Sequence, residues 1–135
     1  MGDNTLNGYN ESALLRLQRI VSYYQLKYDE IVAEHDVSTT QFEVLRFVKE
    51  SKPCSVTDVA DFMIVSLPTA SRTLLGLANR GLILVVPDPE DGRRKSVKVT
   101  TQGYELLAAC GPDWDDLTAT IFKLYGAAIE QLEAL

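Results

Sequence analysis

The chain has 135 residues, 46% of them hydrophobic and 24% charged, and a net charge of −6. These totals are typical of one folded domain, and no apolar run approaches the roughly 20 residues that a membrane-spanning helix needs. No charged and then apolar leader is visible, and two cysteines are too few for a disulfide framework or a zinc site. We therefore expect a cytoplasmic protein with no membrane partner, metal or cofactor.

The charge is unevenly distributed along the chain. Residues 1–45 hold 3 cations and 7 anions, residues 46–98 hold 9 and 6, and residues 99–135 hold 1 and 6. A basic middle between two acidic ends is typical of a DNA-binding module flanked by assembly helices. The alternative is an ordinary solvated surface whose charge happens to vary.

The first predicted element is a long helix from about residue 10 to residue 34. Apolar residues recur every three or four positions and form a stripe on one face. A similar stripe near the C-terminus runs through Gly111-Pro112, where we expect a kink or a brief break. The two striped segments either pack on each other alone or also contact a second subunit.

Three shorter helices are predicted between these ends, each with a polar start. Ser38 precedes the first, Ser55-Val56-Thr57-Asp58 is a capping-box pattern, and Ser66 caps the third, which tolerates Pro68 in its first turn. Gly81 ends that third helix. Two β-prone runs then surround a turn-forming loop that carries Arg93, Arg94 and Lys95. This order predicts a winged helix-turn-helix: mainly α with a small β-hairpin.

The third helix has two contrasting faces on a helical wheel. Ala70, Leu74, Leu77 and Ala78 form the packing side, whereas Thr69, Arg72, Thr73, Gly76 and Asn79 are predicted to face outward. A slim polar face of this kind fits the major groove, and Arg72 has the donors for a guanine edge. A plain amphipathic surface helix is the alternative.

The loop cations are predicted to lie over the flanking DNA backbone or in the minor groove. We expect an Asp91–Arg93 ion pair to hold the loop and leave Arg94 free to contact DNA. The full set predicted to bind DNA is Ser66, Pro68, Thr69, Ser71, Arg72, Thr73, Arg93, Arg94 and Lys95.

Two segments resemble the multiple antibiotic resistance regulator (MarR) family of bacterial transcription factors. One is Asp88-Pro89-Glu90-Asp91-Gly92-Arg93-Arg94 with Val97-Lys98-Val99-Thr100-Thr101-Gln102-Gly103; the other is Leu67-Pro68-Thr69-Ala70-Ser71-Arg72 with Arg80-Gly81-Leu82-Ile83. The resemblance covers roughly residues 38–107. It implies a homodimer in which each winged module binds half of a near-palindromic operator in double-stranded DNA. It also implies repression, often relieved by a small aromatic ligand or by cysteine oxidation.

The resemblance gives a domain organisation within one structural unit. Residues 1–37 form an N-terminal dimerisation helix, residues 38–100 the DNA-binding module, and residues 101–135 the C-terminal dimerisation helices. The residues expected between subunits are Leu14, Leu17, Val21, Leu117, Ile121, Leu124, Ala128 and Leu132.

The other candidate sites are less specific. Tyr23, Tyr24, Tyr28, Phe42 and Trp114 are candidates for a pocket that binds a small-molecule effector, although core packing is the simpler explanation for aromatic residues at these spacings. His35 has no ligand partners at metal-binding spacing, and Cys54 and Cys110 lack the adjacent cations that lower a thiol pKa. No catalytic constellation is visible, so we do not expect an enzyme. The alternative function is a winged-helix protein-interaction module that has lost DNA binding.

Overall fold

The computed structural model describes residues 10–135. Five α-helices and one two-stranded antiparallel hairpin form the main elements of these residues, which confirms the predicted fold class. Their order is α1 (Ala13–Val32), a short 3-10 turn (Ala33–His35), α2 (Thr39–Glu50), α3 (Val56–Met63), α4 (Leu67–Asn79), β1 (Ile83–Pro87), β2 (Lys95–Val99) and α5 (Thr101–Glu133). The first nine residues of the predicted 1–37 segment lie outside the described part of the chain.

Serine side chains begin the three central helices at the predicted positions. Ser38 and Gln41 form a reciprocal capping box at the start of α2, and Ser55 and Asp58 form another at the start of α3. The Ser66 hydroxyl accepts a hydrogen bond from the Thr69 backbone N–H at the start of α4. Each cap satisfies helix N–H groups that lack an intrahelical partner, so these starts are set by local sequence.

The hairpin follows α4 after a single left-handed residue. Gly81 has a φ of +71°, a region that glycine adopts without steric cost, and it turns the chain from α4 into β1. The two strands pair from Ile83 with Val99 to Pro87 with Lys95. A further pairing of Ser55 with Ser96 attaches β2 to the start of α3. The hairpin is therefore fixed to the helical core along one edge.

The hydrophobic core lies among α2, α3, α4 and the hairpin. Phe42, Leu45, Leu74, Leu77 and Ile83 are at most 1% exposed. The first part of α5 completes this core with buried residues that include Leu106, Leu107, Cys110 and Trp114. Burying this much apolar surface supplies the main favourable free energy of folding.

The C-terminal segment differs from our prediction. We expected a kink or a break at Gly111-Pro112 and more than one helix in residues 101–135. The break and the second helix are wrong, because α5 is helical without interruption from Thr101 to Glu133. The kink stays a prediction. Pro112 removes one backbone hydrogen bond, whose acceptor would be the Ala108 carbonyl, and both residues lie on the exposed side of the helix. Cys110 and Trp114 are buried on either side of Pro112, so their packing stabilises the helical conformation of this segment.

The two long helices pack together only in part. Tyr28 on α1 and Thr118 on α5 share a hydrogen bond of 2.7 Å, which ties the helices near the core. Most of the apolar residues that we expected between subunits are exposed: Leu14, Leu17, Val21, Leu124, Ala128 and Leu132, whereas Leu117 and Ile121 are half-buried. None of the helices in residues 10–135 combines the length and apolar character needed to cross a bilayer.

Candidate nucleic-acid interface

The turn between α3 and α4 sets the position of the candidate recognition helix. Ile64 has a left-handed conformation, with φ 57° and ψ 50°, and its side chain is 91% exposed. β-Branched residues rarely adopt this conformation because of steric clash with the backbone. The tight turn brings Ser66 and the first turn of α4 to the surface.

The first two turns of helix α4 present short polar side chains and one arginine. The Ser66 and Thr69 hydroxyl oxygens lie 3.0 Å apart, and the Arg72 Nη2 atom lies 3.4 Å from the Thr69 Oγ1 atom. Pro68, Ser71 and Arg72 are exposed, whereas Thr69 and Thr73 are half-buried. Arg72 makes no salt bridge with any carboxylate in residues 10–135, so its guanidinium keeps donors for a ligand.

The predicted outward face of α4 needs one correction and one addition. Gly76 does not belong to it, because a Cβ atom at this position would lie 2.9 Å from the Gln41 Nε2 atom of α2. Gly76 therefore faces α2 and leaves room for the Gln41 side chain. Leu75, which the helical wheel did not single out, is 59% exposed and continues the face of Pro68, Arg72 and Asn79. The spacing of these residues was the available signal.

Backbone hydrogen bonds shape the loop between the strands. The Asp88 Oδ1 atom accepts hydrogen bonds from the backbone N–H groups of Glu90 and Asp91, at 2.8 and 3.3 Å. The Asp88 backbone N–H donates a hydrogen bond to the Arg94 carbonyl at 2.9 Å, which closes the loop. The Asp91 carboxylate accepts from the Arg93 backbone N–H at 3.0 Å. The expected Asp91–Arg93 ion pair is therefore wrong, because the carboxylate holds the backbone and leaves the guanidinium unpaired within the described chain.

Arg94 is the more restrained of the two loop arginines, contrary to our expectation. Its Nη2 atom lies 3.4 Å from the Ser55 Oγ atom at the start of α3. Hydrogen bonds from Ser55, with a smaller contribution from Arg94, hold the pKa of Asp58 below its usual value. The hairpin with its loop, residues 83–99, is called the wing below. The wing is thus joined to α3 through Ser55, and the side chains of Arg93 and Lys95 are exposed.

The wing tip and the first turns of α4 face each other across a shallow cleft of about 240 Å³. The cleft is lined by Leu67 and Ser71 of α4, the start of α3, and Arg93, Arg94 and Lys95 of the loop. We use the name α4–wing surface for the exposed residues that line the cleft or lie beside it on α4. They are Ser66, Pro68, Ser71, Arg72, Arg93, Arg94 and Lys95. The start of α4 and the basic loop, which the sequence identified separately, therefore lie next to each other.

The five aromatic residues predicted to line an effector pocket divide into two groups. Tyr28, Phe42 and Trp114 form one cluster, with ring centroids 4.4 Å apart for Tyr28–Trp114 and 4.6 Å apart for Phe42–Trp114. Tyr23 and Tyr24, nearer the start of α1, instead belong to an edge-to-face group with Tyr125 of α5. One predicted pocket is therefore replaced by two aromatic groups.

The first aromatic group borders a cavity of about 520 Å³. Tyr28, Val44, Phe62, Met63, Val65 and Trp114 supply its apolar part, and Gln25, Thr39, Thr40 and Glu43 its polar part. Phe42 is fully buried behind Trp114 and does not line the cavity.

Both cysteines occur as free thiols and both are buried. Burial, together with the nearby Asp58 carboxylate, raises the pKa of the Cys54 thiol to about 11. Burial also raises the pKa of Cys110, and Asp113 adds to the effect. Since the thiolate is the reactive form of cysteine, the raised pKa values favour a structural role for both residues. No group of three or more metal-binding side chains occurs within residues 10–135.

A hairpin attached to a three-helix core, with a capped and exposed α4, defines the chain as a winged helix-turn-helix protein. The MarR family model matches residues 37–95. An uncharacterised helix-turn-helix transcriptional regulator of Staphylococcus aureus is 30% identical over 105 residues, which cover 78% of this chain and 72% of that protein. The chain belongs to the MarR family, whose members are DNA-binding transcriptional regulators and not enzymes.

Two further relatives extend the comparison. The transcriptional repressor IacR of Pseudomonas putida is 25% identical over 120 residues, 88% of this chain and 72% of that protein. The crystal structure of the S. aureus MepR–DNA complex superposes with a TM-score of 0.77 and 26% identity, covering 92% of this chain and 93% of that one.

Proposed function

We propose that this protein is a homodimeric repressor that binds a near-palindromic site in double-stranded DNA through the α4–wing surface. The observation that carries the proposal is the cleft that joins the exposed start of α4 to a loop with three consecutive cations, on an otherwise acidic chain. Arg93 and Lys95 line the cleft opposite Ser71, and the exposed Arg72 follows Ser71 on α4. A basic surface on an acidic protein favours a polyanionic partner, because cations that contact phosphates release condensed counterions.

The shape of α4 supports duplex DNA as that partner. Its first two turns carry hydroxyl groups, a proline and one arginine. A helix with such short side chains fits a major groove about 12 Å wide. Arg72 is then placed for a guanine edge, and the loop cations for the flanking backbone or the minor groove. The likeness to the DNA-bound MepR structure supports the same arrangement.

The exposed apolar residues of α1 and α5 support a homodimer. Leu14, Leu17 and Val21 are 59–66% exposed along one side of α1, and Leu124 and Leu132 of α5 are 60% and 67% exposed. Contiguous apolar patches of this kind on a folded protein usually mark an interface. Two-fold symmetry of the protein then requires a near-palindromic operator whose half-sites lie on one face of the duplex.

Repression and release complete the proposal. The relative IacR is a repressor, which supports repression as the sign of regulation here. The cavity beside Tyr28 and Trp114 lies between the long helices and the winged module, so a small aromatic ligand bound there would contact both. Its volume is within the range of small-molecule sites. A change in the relative position of these parts would alter the spacing of the two recognition helices.

A binding assay on the DNA that flanks the protein's own gene tests the proposal. Gel shift or fluorescence anisotropy across a salt series should detect one site bound by two chains, with an affinity that falls steeply as salt rises. A scrambled duplex of equal length and composition is the control. Absence of binding at low salt would contradict the proposal and favour a protein-interaction module. Equal affinity for both duplexes would contradict sequence-specific repression.

A further inference from the structure

Helix α4 carries a large apolar side chain in the middle of its outward face. Leu75 is 59% exposed, whereas Leu74 and Leu77 of the same helix are at most 1% exposed. Leu75 follows Arg72 by three residues and precedes Asn79 by four, and side chains at these spacings are neighbours on a helix surface. It lies outside the hydrophobic core that residues 10–135 form. The side chain is therefore available to a partner that approaches this face.

The chemistry around Leu75 limits which bases this face can recognise. The segment from Ser66 to Val86 contains no aspartate or glutamate, the side chains that accept a hydrogen bond from the cytosine amino group. The exposed face beyond the first turn offers the donors of Arg72, the amide of Asn79 and the apolar Leu75. In the major groove, arginine binds the guanine edge, asparagine binds adenine, and apolar side chains contact the C5-methyl group of thymine.

We infer that Leu75 is a specificity-determining residue that contacts a thymine methyl group in each half-site. Three residues advance an α-helix by about 4.5 Å, and neighbouring base pairs are about 3.4 Å apart. The thymine therefore lies one or two base pairs from the guanine that Arg72 binds. This inference rests on the proposed function and deepens it, because it names a base that α4 recognises.

Replacement of deoxythymidine (dT) by deoxyuridine (dU) tests the contact, because it removes the methyl group and keeps every base-pair hydrogen bond. Fluorescence anisotropy at one salt concentration measures binding to operator duplexes in which one symmetric pair of thymines at a time is replaced. Each lost methyl contact should weaken binding about fourfold, the value for burying one methyl-sized apolar group. One symmetric pair should therefore weaken binding by roughly tenfold or more, and the other pairs by less than about twofold.

Variants of Leu75 then assign the methyl contact to this side chain. Leu75→Ala should bind the dT and dU operators with affinities within about twofold of each other, because the apolar contact is already lost. Leu75→Met keeps an apolar side chain of similar size and should restore the preference for dT. Leu84→Ala is the matched control, because Leu84 is 57% exposed but lies on strand β1. It should keep the full preference.

The outcomes separate this inference from the proposed function. If no dU replacement weakens binding, or if Leu75→Ala keeps the preference for dT, the inference is overturned. Salt-dependent binding to the unmodified operator would in either case still support the proposed function. A sensitive thymine more than two base pairs from the guanine that Arg72→Ala identifies would also overturn the inference. Absence of operator binding would overturn both.

Discussion

The central module, residues 38–100, and the terminal helices place their large apolar side chains differently. Phe42, Leu45 and Leu74 in the module are at most 1% exposed, whereas Leu14, Leu17 and Val21 on α1 are 59–66% exposed. The module thus contains the partners that its apolar residues need. The outer halves of α1 and α5 have an apolar face that no residue of the described chain covers. In the proposed dimer, folding and assembly would then depend on different residues, and substitutions can separate them.

The largest effect is expected in the core of the central module. Phe42→Ala should lower the free energy of unfolding by about 3–5 kcal/mol, because Phe42 is fully buried against Trp114 and its removal leaves a cavity. Chemical denaturation followed by Trp114 fluorescence measures the change, since Trp114 is the only tryptophan. A decrease of less than about 1 kcal/mol would contradict the assignment of the core to this module.

The second effect concerns assembly and leaves the module folded. Val21→Glu places a charge in the middle of the exposed α1 stripe and should raise the dimer dissociation constant by at least about tenfold. Sedimentation equilibrium gives this constant, and circular dichroism should show an unchanged helix content. Leu84→Glu is the matched control, because Leu84 is 57% exposed on the hairpin and outside the stripe. If both variants dissociated equally, or neither did, the terminal helices would not form the proposed interface.

The sequence specified the central module more completely than the ends for a physical reason. Serine caps, Gly81 and the alternation of β2 act over a few residues, so their structural outcome can be predicted from local sequence. Gly76 and Pro112 depend on tertiary contacts instead. Only the approach of Gln41 shows that Gly76 faces α2, and only the buried Cys110 and Trp114 show that α5 continues through Pro112.

The candidate sites show the same limit. The outward position of Arg72 on the helical wheel and the run of three cations in the loop could both be read from the sequence. The contact between Arg94 and Ser55 could not, because the two residues lie far apart in the chain. The aromatic residues were grouped by type and spacing. Their division into two clusters depends on tertiary contacts, of Tyr28 with Trp114 and of Tyr24 with Tyr125, that the spacing does not contain.

A smaller effect is expected for base recognition by the module. Arg72→Ala should cost about 1–3 kcal/mol of discrimination at one base pair of each half-site, with a smaller decrease in affinity at the other positions. Binding to a set of single-base operator variants measures the change. Lys123→Ala should preserve the full discrimination. A uniform decrease across all variants would indicate that Arg72 contacts phosphate rather than a base.

The smallest effect concerns the turn before the recognition helix. Ile64→Gly should raise the free energy of unfolding by about 0.5–1 kcal/mol, because glycine removes the cost of a left-handed β-branched residue but adds freedom to the unfolded chain. Ile64→Asn should show the same sign, since asparagine tolerates this conformation. Thermal denaturation measures both variants. Destabilisation by both would show that the isoleucine side chain contributes packing despite its exposure.

The central claim is that the loop cations bind DNA together with α4, and the salt dependence of operator affinity tests it most directly. Replacing Arg93, Arg94 and Lys95 together with alanine should flatten the slope of log affinity against log salt by about 0.9 for each phosphate that the loop no longer neutralises. The same measurement on Lys123→Ala should give the slope of the unaltered protein. An unchanged slope and affinity in the triple variant would contradict the account.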